Sequence, residues 1–177
     1  LRLVGSEMCI RDRVKTLLDM SELQTVSRDE TIAVDALVDE VLVDLEPLAQ
    51  EKEIKLIGNC KDTTMVGSDI LIYRMVYNLV ENAIKYNHFG GQVTVTAYRK
   101  GKNICLSVED TGSGIPAELK ERIFEPFFRV DKSRSRQLGG VGLGLALVRE
   151  IVRVHDGRIT VQSSPSGGTI FEVVFTQ

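Results

Sequence analysis

Between residues 35 and 51 apolar side chains return every three or four positions. Leu37, Val38, Val41, Leu42, Leu45 and Leu48 share one face, with acids between them. That spacing predicts an amphipathic helix, which Pro47 can kink in its last turns. Residues 53–60 (EIKLIGNC) read as a strand. A second helical period starts at Ser68 or Asp69, either of which can cap it, and runs to about Asn87. Gly90-Gly91 ends it. Two strands follow, near 92–100 and 103–109, with Gly101-Lys102 as their hairpin turn. A loop and a short helix span Pro116 to Ile123. Residues 124–142 mix glycine and charge with little periodicity and read as a mobile loop. A third helix is expected over about 143–155. Closing strands near 158–163 and 169–175 flank Pro165-Ser166-Gly167-Gly168. Upstream, Val14, Leu17, Leu18 and Leu23 have the helical spacing of the tail of a longer helix, and polar residues 27–31 read as a hinge or linker. The sum predicts an α+β two-layer sandwich, a mixed sheet with three helices on one face.

Composition narrows the function classes. Of 177 residues, 43% are hydrophobic and 27% charged, as in an ordinary globular chain with one core and a short appendage. Net charge is -3, with both signs mixed along the chain, so nothing calls for a nucleic-acid or anionic-membrane surface. Three scattered cysteines, Cys9, Cys60 and Cys105, make no CxxC and no Cys/His pair at metal spacing. A disulfide framework and a zinc site are not expected, and a reducing compartment fits. No run of about 18 apolar residues exists, so no membrane contact is expected from this stretch. The chain starts at Leu1, as a fragment would. Residues 5–13 (GSEMCIRDR) resemble translated sequencing-adapter read-through, so residues 1–13 are set aside as non-native. The other reading is the genuine end of a helix.

Four segments carry chemistry. In VYNLVENAIKY (76–86), Asn78, Glu81, Asn82 and Lys85 fall on one helix face, and Leu79, Val80, Ala83 and Ile84 on the opposite one. Carboxamide oxygens suit Mg²⁺ and a lysine suits phosphate. A solvated helix face would look the same. In DTGSGIP (110–116), Asp110 ends an apolar strand, where a carboxylate can accept a hydrogen bond from an exocyclic amine such as that of adenine. Gly112 and Gly114 let backbone approach a flat ring. A plain Asp/Gly turn is the alternative. In GGVGLG (139–144), glycines lead straight into a helix, whose N-terminus and exposed amides make an anion cradle. No GK[ST] follows and no strand precedes it, so it is neither a Walker loop nor a dinucleotide fingerprint. The fourth, Gly167-Gly168-Thr169, reads in isolation as an ordinary strand-entry turn.

Taken in this order, the pieces resemble the histidine kinase ATPase family within the gyrase, Hsp90 and MutL superfamily, over about residues 31–176. NLVENAIKY is similar to its asparagine box, DTGSGIP to its first glycine box, FEPFFR (124–129) to its phenylalanine box, GGVGLGL to its second glycine box and GGT to its last. The resemblance implies a Bergerat-type fold, with ATP and Mg²⁺ as cofactors. By it, Asn82 is the Mg²⁺ ligand, and Asn78, Lys85 and Tyr86 line the phosphate and sugar side. Asp110 reads adenine, Gly112 and Gly114 give access, and Thr169 supports that pocket. Residues 125–141 correspond to an ATP lid, from which Arg129, Lys132 or Arg134 could reach the phosphates. Gly140, Gly142 and Gly144 offer amides to the phosphates, and Ile115, Val141 and Leu143 complete the nucleotide-binding set. Asn78, Asn82, Lys85 and Arg129 are the implied catalytic residues.

The implied activity is transfer of the ATP γ-phosphoryl group to a histidine, for relay to an aspartate on the receiver domain of a response regulator. ATP-hydrolysing relatives carry glutamate at the Asn78 position to activate water. An asparagine cannot take that proton, which favours transfer to an acceptor over hydrolysis. Val141 departs from the Thr or Ser frequent in the second glycine box. The acceptor motif, a His followed by Glu or Asp, is missing; His88 and His155 both read as structural or exposed. LLDMSEL (17–23) resembles the end of a second dimerisation helix. The implied organisation is 14–30 as remnant of that helix and linker, and 31–177 as the catalytic domain. Its partner would be the dimerisation and histidine phosphotransfer domain of the same protein, in the cytoplasmic part of a sensor kinase. A serine kinase of the anti-sigma-factor type and a non-catalytic nucleotide-binding module are the competing readings.

Overall fold

The structure, a computed structural model, describes residues 20–130 and 142–177. Its elements in chain order are β1 (Glu30–Ala33), α1 (Val34–Gln50), β2 (Lys55–Cys60), β3 (Thr64–Gly67), α2 (Asp69–Lys85), β4 (Gln92–Lys100), β5 (Asn103–Asp110), α3 (Gly144–Val154), β6 (Arg158–Ser163) and β7 (Thr169–Thr176). Two 3₁₀ turns, Ala117–Leu119 and Arg122–Phe124, precede α3.

Strand order in the main sheet is β2-β4-β5-β7-β6. Only the β2–β4 pair is parallel; the rest are antiparallel, so the sheet is mixed. Along β4 the pleat points Val93, Val95 and Ala97 into the core and leaves Thr94, Thr96 and Tyr98 half-exposed. Ile104, Leu106 and Val108 of β5 and Phe171, Val173 and Phe175 of β7 continue the buried surface. All three helices cover that face. The middle helix, α2, packs against both α1 and α3. It buries Leu71, Ile72, Met75, Val76, Leu79, Val80, Ala83 and Ile84, each large side chain contributing about 1.5–3 kcal/mol. The expected apolar stripe is therefore observed, and the opposite face is free to carry polar groups.

Three local readings need correction. The short helix expected over 116–123 is two separate 3₁₀ turns, because Ile123 and Phe124 drop into the core and interrupt it. The strand expected from 53 begins at Lys55: Glu53 has φ +52°, and the Ile54 N–H turns back to the Ala49 carbonyl at 2.9 Å. The helix expected over 35–51 is observed as α1, through Pro47 to Gln50. Residues 30 and 31, read as linker, belong to β1, which pairs antiparallel with β3, an element the sequence pattern did not show. The join is fixed by the Val34 N–H donating to the Thr63 carbonyl at 2.9 Å. At the other end of the chain, the Val66 N–H donates to Gln177 Oε1 at 2.5 Å, tying the last residue to β3.

Candidate functional site

The polar face of α2 opens onto three glycine-bearing turns. Asn78, Glu81, Asn82 and Lys85 are half-buried along it, and Tyr86, at the C-cap, is half-exposed. Asn78 Nδ2 donates back to the Arg74 carbonyl at 2.7 Å, which orients the carboxamide and its Oδ1. That oxygen faces the start of α3: a Cβ on Gly144 would lie 3.0 Å from it. Gly142 and Leu143 precede Gly144, with Leu143 buried. The Phe127 N–H donates to the Gly142 carbonyl at 2.8 Å, which clips the phenylalanine-rich turn to this glycine turn. Phe127 itself has φ +66°, a left-handed backbone that costs a non-glycine residue about 1–2 kcal/mol. Phe124 anchors the same turn edge-on against Phe171, and the Arg122 guanidinium stacks over Phe128 at 4.5 Å. Arg129 lies on this segment, half-buried.

Asp110 sits across from α2, at the end of β5, with 6% of its surface exposed. Its Oδ1 accepts from the Gly112 N–H at 2.8 Å and the Thr169 N–H at 3.2 Å. Burial raises its carboxyl above the ordinary value of 3.8, outweighing the lowering by those two N–H groups; Glu109 adds to the rise and His88 opposes it. A buried acceptor with a spare oxygen suits an amine donor from a ligand. Backbone crowds it. A Cβ on Gly112 would lie 2.4 Å from the Tyr86 carbonyl oxygen, and one on Gly168 would lie 2.0 Å from the Asp110 carbonyl oxygen. The first contact presses the Asp110 turn against the end of α2. The second shows that the Gly-Gly-Thr turn, unremarkable in isolation, is part of the acid's housing. Gly114 (φ +72°) faces the Gly167 carbonyl, and Ile115 is half-buried behind it.

Two groups of contacts result: Asn78 with Gly144, and Tyr86, Gly112, Asp110, Gly168 and Thr169 with one another, both along α2. Lys85 is held by Glu81, one turn back on the same face, at 3.2 Å. Asn82 lies one turn from Asn78, its carbonyl accepting from the Tyr86 N–H at 3.0 Å. Gly140, Val141, Lys132 and Arg134 lie outside the described residues, as do residues 14–19 and most of the segment likened to a lid. Among the described residues no group of three or more His, Cys, Asp or Glu could hold a metal ion. The polar face of α2 offers the carboxamide oxygens of Asn78 and Asn82, a donor type that fits Mg²⁺, which keeps several waters and takes few protein ligands. A shallow groove of about 610 Å³, lined by Leu42, Val43, Pro47 and Leu56 among others, lies against α1 and β2 and involves none of these residues.

The two histidines differ in setting. His88 is exposed in the turn after α2. His155 is 9% exposed; its Nε2 accepts from the Ser68 N–H at 3.0 Å and its Nδ1 lies 2.8 Å from the Ile151 carbonyl. The neutral ring with its proton on Nδ1 satisfies both contacts.

Residues that pattern reading missed are Asn87, Gln92 and Lys52. Asn87 is buried in a hydrogen-bonded ring with Thr111 and Gln92. Lys52 Nζ donates to the Lys85 carbonyl at 2.6 Å, satisfying the end of α2. Nothing local marks Lys52, whose partner is 33 residues away.

Residues 67–177 match the family described as histidine kinase-, DNA gyrase B-, and HSP90-like ATPase. The chain belongs to this ATPase family. Membership makes it a nucleotide-binding domain. Within the family it is similar to the sensor-like histidine kinase SenX3 of Mycobacterium tuberculosis, at 39% identity over 164 residues. The match takes in 90% of this chain and 40% of SenX3, so the chain spans well under half of that relative's length. Among solved structures it is similar to the catalytic domain of histidine kinase ThkA, with a TM-score of 0.75 and 27% identity over 85% of this chain and 96% of that one. It is also similar to full-length ShkA in complex with AMPPNP, with a TM-score of 0.79 and 25% identity over 98% of this chain and 36% of ShkA. ThkA has also been solved in complex with the response regulator protein TrrA; there the TM-score is 0.78 at 25% identity, over 98% of this chain and 48% of ThkA. No helix among the described residues is long and apolar enough to cross a membrane.

Proposed function

We propose that the chain is the ATP-binding catalytic domain of a sensor histidine kinase. It would transfer the γ-phosphoryl group of ATP to a histidine on a dimerisation domain of the same protein, and that histidine would pass it to a response regulator. The observation that carries this reading is Asp110, a carboxylate buried between glycine turns that press against the end of α2, in a chain of this ATPase family. Relatives named as histidine kinases, one solved with a response regulator, support the same reading.

In this scheme Asp110 accepts a hydrogen bond from the exocyclic amine of adenine, while Gly112, Gly114 and Ile115 border the ring and Thr169 holds the acid. Tyr86 and Lys85 flank the sugar and phosphates, Lys85 as a point charge. Asn82 would hold Mg²⁺, which when bound supplies charge neutralisation on the phosphates, and Asn78 would line the phosphate side. The amides of Gly142, Leu143 and Gly144, and of Gly140 and Val141 outside the described residues, cradle the anionic chain at the positive end of α3. Arg129 would meet the γ-phosphate. No group at position 78 can take a proton from water, so the site favours positioning and charge neutralisation over hydrolysis. Residues 14–30 would be the tail of a dimerisation helix and its linker, and the catalytic domain would begin near residue 31.

Calorimetric titration with Mg-AMPPNP tests the site. Asp110→Asn and Asn82→Ala are each expected to abolish binding in a folded domain, and unchanged affinity in both would defeat the assignment. Labelled ATP with a supplied dimerisation domain tests the acceptor. The label is expected on that domain's histidine and not on this chain; stable label on His88 or His155 would contradict the scheme.

A further inference from the structure

The turn that ends α2 and the turn that follows Asp110 are locked by a closed ring of side-chain hydrogen bonds. The Gln92 N–H donates to Thr111 Oγ1 at 2.9 Å. The Thr111 hydroxyl donates to Asn87 Oδ1 at 3.1 Å. Asn87 Nδ2 donates to the Gln92 carbonyl at 3.0 Å, closing the circuit. The Gln92 carbonyl also accepts from the Thr111 N–H at 3.2 Å and lies 3.4 Å from Thr111 Oγ1, so the same three residues are tied through backbone and side chains, and bonds in such a network strengthen one another. The His88 N–H adds a second bond to Asn87 Oδ1, at 2.9 Å. Asn87 is 8% exposed, and a Cβ on Gly91 would lie 2.3 Å from its Oδ1, so the ring has no room to relax.

Its location gives it a use. Thr111 stands between Asp110 and Gly112, whose N–H holds Asp110 Oδ1. Asn87 follows Tyr86, whose carbonyl oxygen faces Gly112. The ring therefore fixes the distance between the helix of carboxamides and the acid on the sheet. We infer that Asn87 and Thr111 are positioning residues for nucleotide binding: they set Asp110 and Gly112 against α2 without touching the ligand. This rests on the nucleotide reading of the Asp110 cleft.

The test measures Mg-ADP affinity by calorimetry at 15 °C, with the Gly112 amide followed by hydrogen exchange. Thr111→Val keeps the shape and removes the hydroxyl. It is expected to weaken ADP about tenfold, in the range of one or two lost hydrogen bonds, and to speed Gly112 exchange while sheet amides keep their protection. Thr111→Ser, which keeps the hydroxyl, is expected to bind like the wild type. Asn87→Ala should lose a similar factor. The double variant should be no more than about twofold worse than the weaker single, because both open the same ring. A folded Thr111→Val with wild-type affinity, or single losses that multiply in the double variant, would overturn the inference. Asp110→Asn separates the two levels. If it loses ADP while Thr111→Val does not, only the ring's role fails. If it binds ADP unchanged, the underlying site reading fails and takes the ring with it.

Discussion

Gly168→Ala is the sharpest single perturbation of the site. The added methyl carbon would sit 2.0 Å from the Asp110 carbonyl oxygen and 2.8 Å from its Oδ1, both short of the 3.0 Å that real Cβ atoms keep. The first obstacle is backbone at the end of a central strand, so it cannot swing aside as a flexible side chain would. Asp110 or the Gly-Gly-Thr turn must move by about 1 Å, and the 3.2 Å bond from the Thr169 N–H to Asp110 is the first to go. Overpacking of this kind costs about 1–3 kcal/mol, which in a domain of this size lowers Tm by roughly 3–10 °C. Nucleotide binding should suffer separately. Losing the aligned charge-assisted bond to the ligand is worth about 1.5–3 kcal/mol, or roughly 10- to 150-fold in ADP affinity. Gly167→Ala is the control: φ there is +91°, but nothing lies within 4 Å, so only backbone strain is introduced. Thermal melts and ADP titrations on both variants decide the matter. If Gly168→Ala binds ADP as tightly as Gly167→Ala, the packing argument around Asp110 is wrong.

Two more outcomes follow from the buried titratable groups. Asp110→Asn should melt at or above the wild type at pH 7, by about 0.5–2 kcal/mol. The raised carboxyl loses its stabilising share as pH rises through the folded value, so the gap should close as pH falls toward 3.8; a lower melt for the variant at pH 7 would refute this. For His155, burial lowers the folded pKa, helped by Arg28 and opposed by the Ile151 carbonyl and Asp156. The ring is neutral in both states above its ordinary 6.5, so its contribution is complete there and drains away as pH falls through the lowered folded value. His155→Ala should cost about 2–4 kcal/mol in urea melts at pH 8 by stranding the Ser68 N–H, and the acid slope below 6.5 should flatten. An unchanged slope would remove His155 from the account.

Much of this was legible in the residues, and the limits are physical. α2 declared itself because its apolar and polar residues segregate at helical spacing, and its apolar face is buried as expected. The hairpin at Gly101 and the strands beside it followed from alternation and a turn of known chemistry. β1 and β3 were missed because each has four residues, too few for a period, and each exists only through the other. Asn87 looked like a helix terminus because its partners, Gln92 and Thr111, lie across a turn and across the sheet. Gly168 looked ordinary because the atom that forbids a side chain there belongs to Asp110, 58 positions earlier. Local periodicity reports what a segment buries; it does not report which distant backbone will crowd it.

The proposed site draws on two layers, α2 and α3 from the helices and the ends of β5 and β7 from the sheet. A ligand seated there would act as a rivet between layers that also meet through side-chain packing and the ring of Asn87, Thr111 and Gln92. Its presence at 100 times its dissociation constant would add about 2.7 kcal/mol to the folded state. Storage life and resistance to proteases should then track the nucleotide content of the buffer, and a simple melting curve would double as a gauge of occupancy.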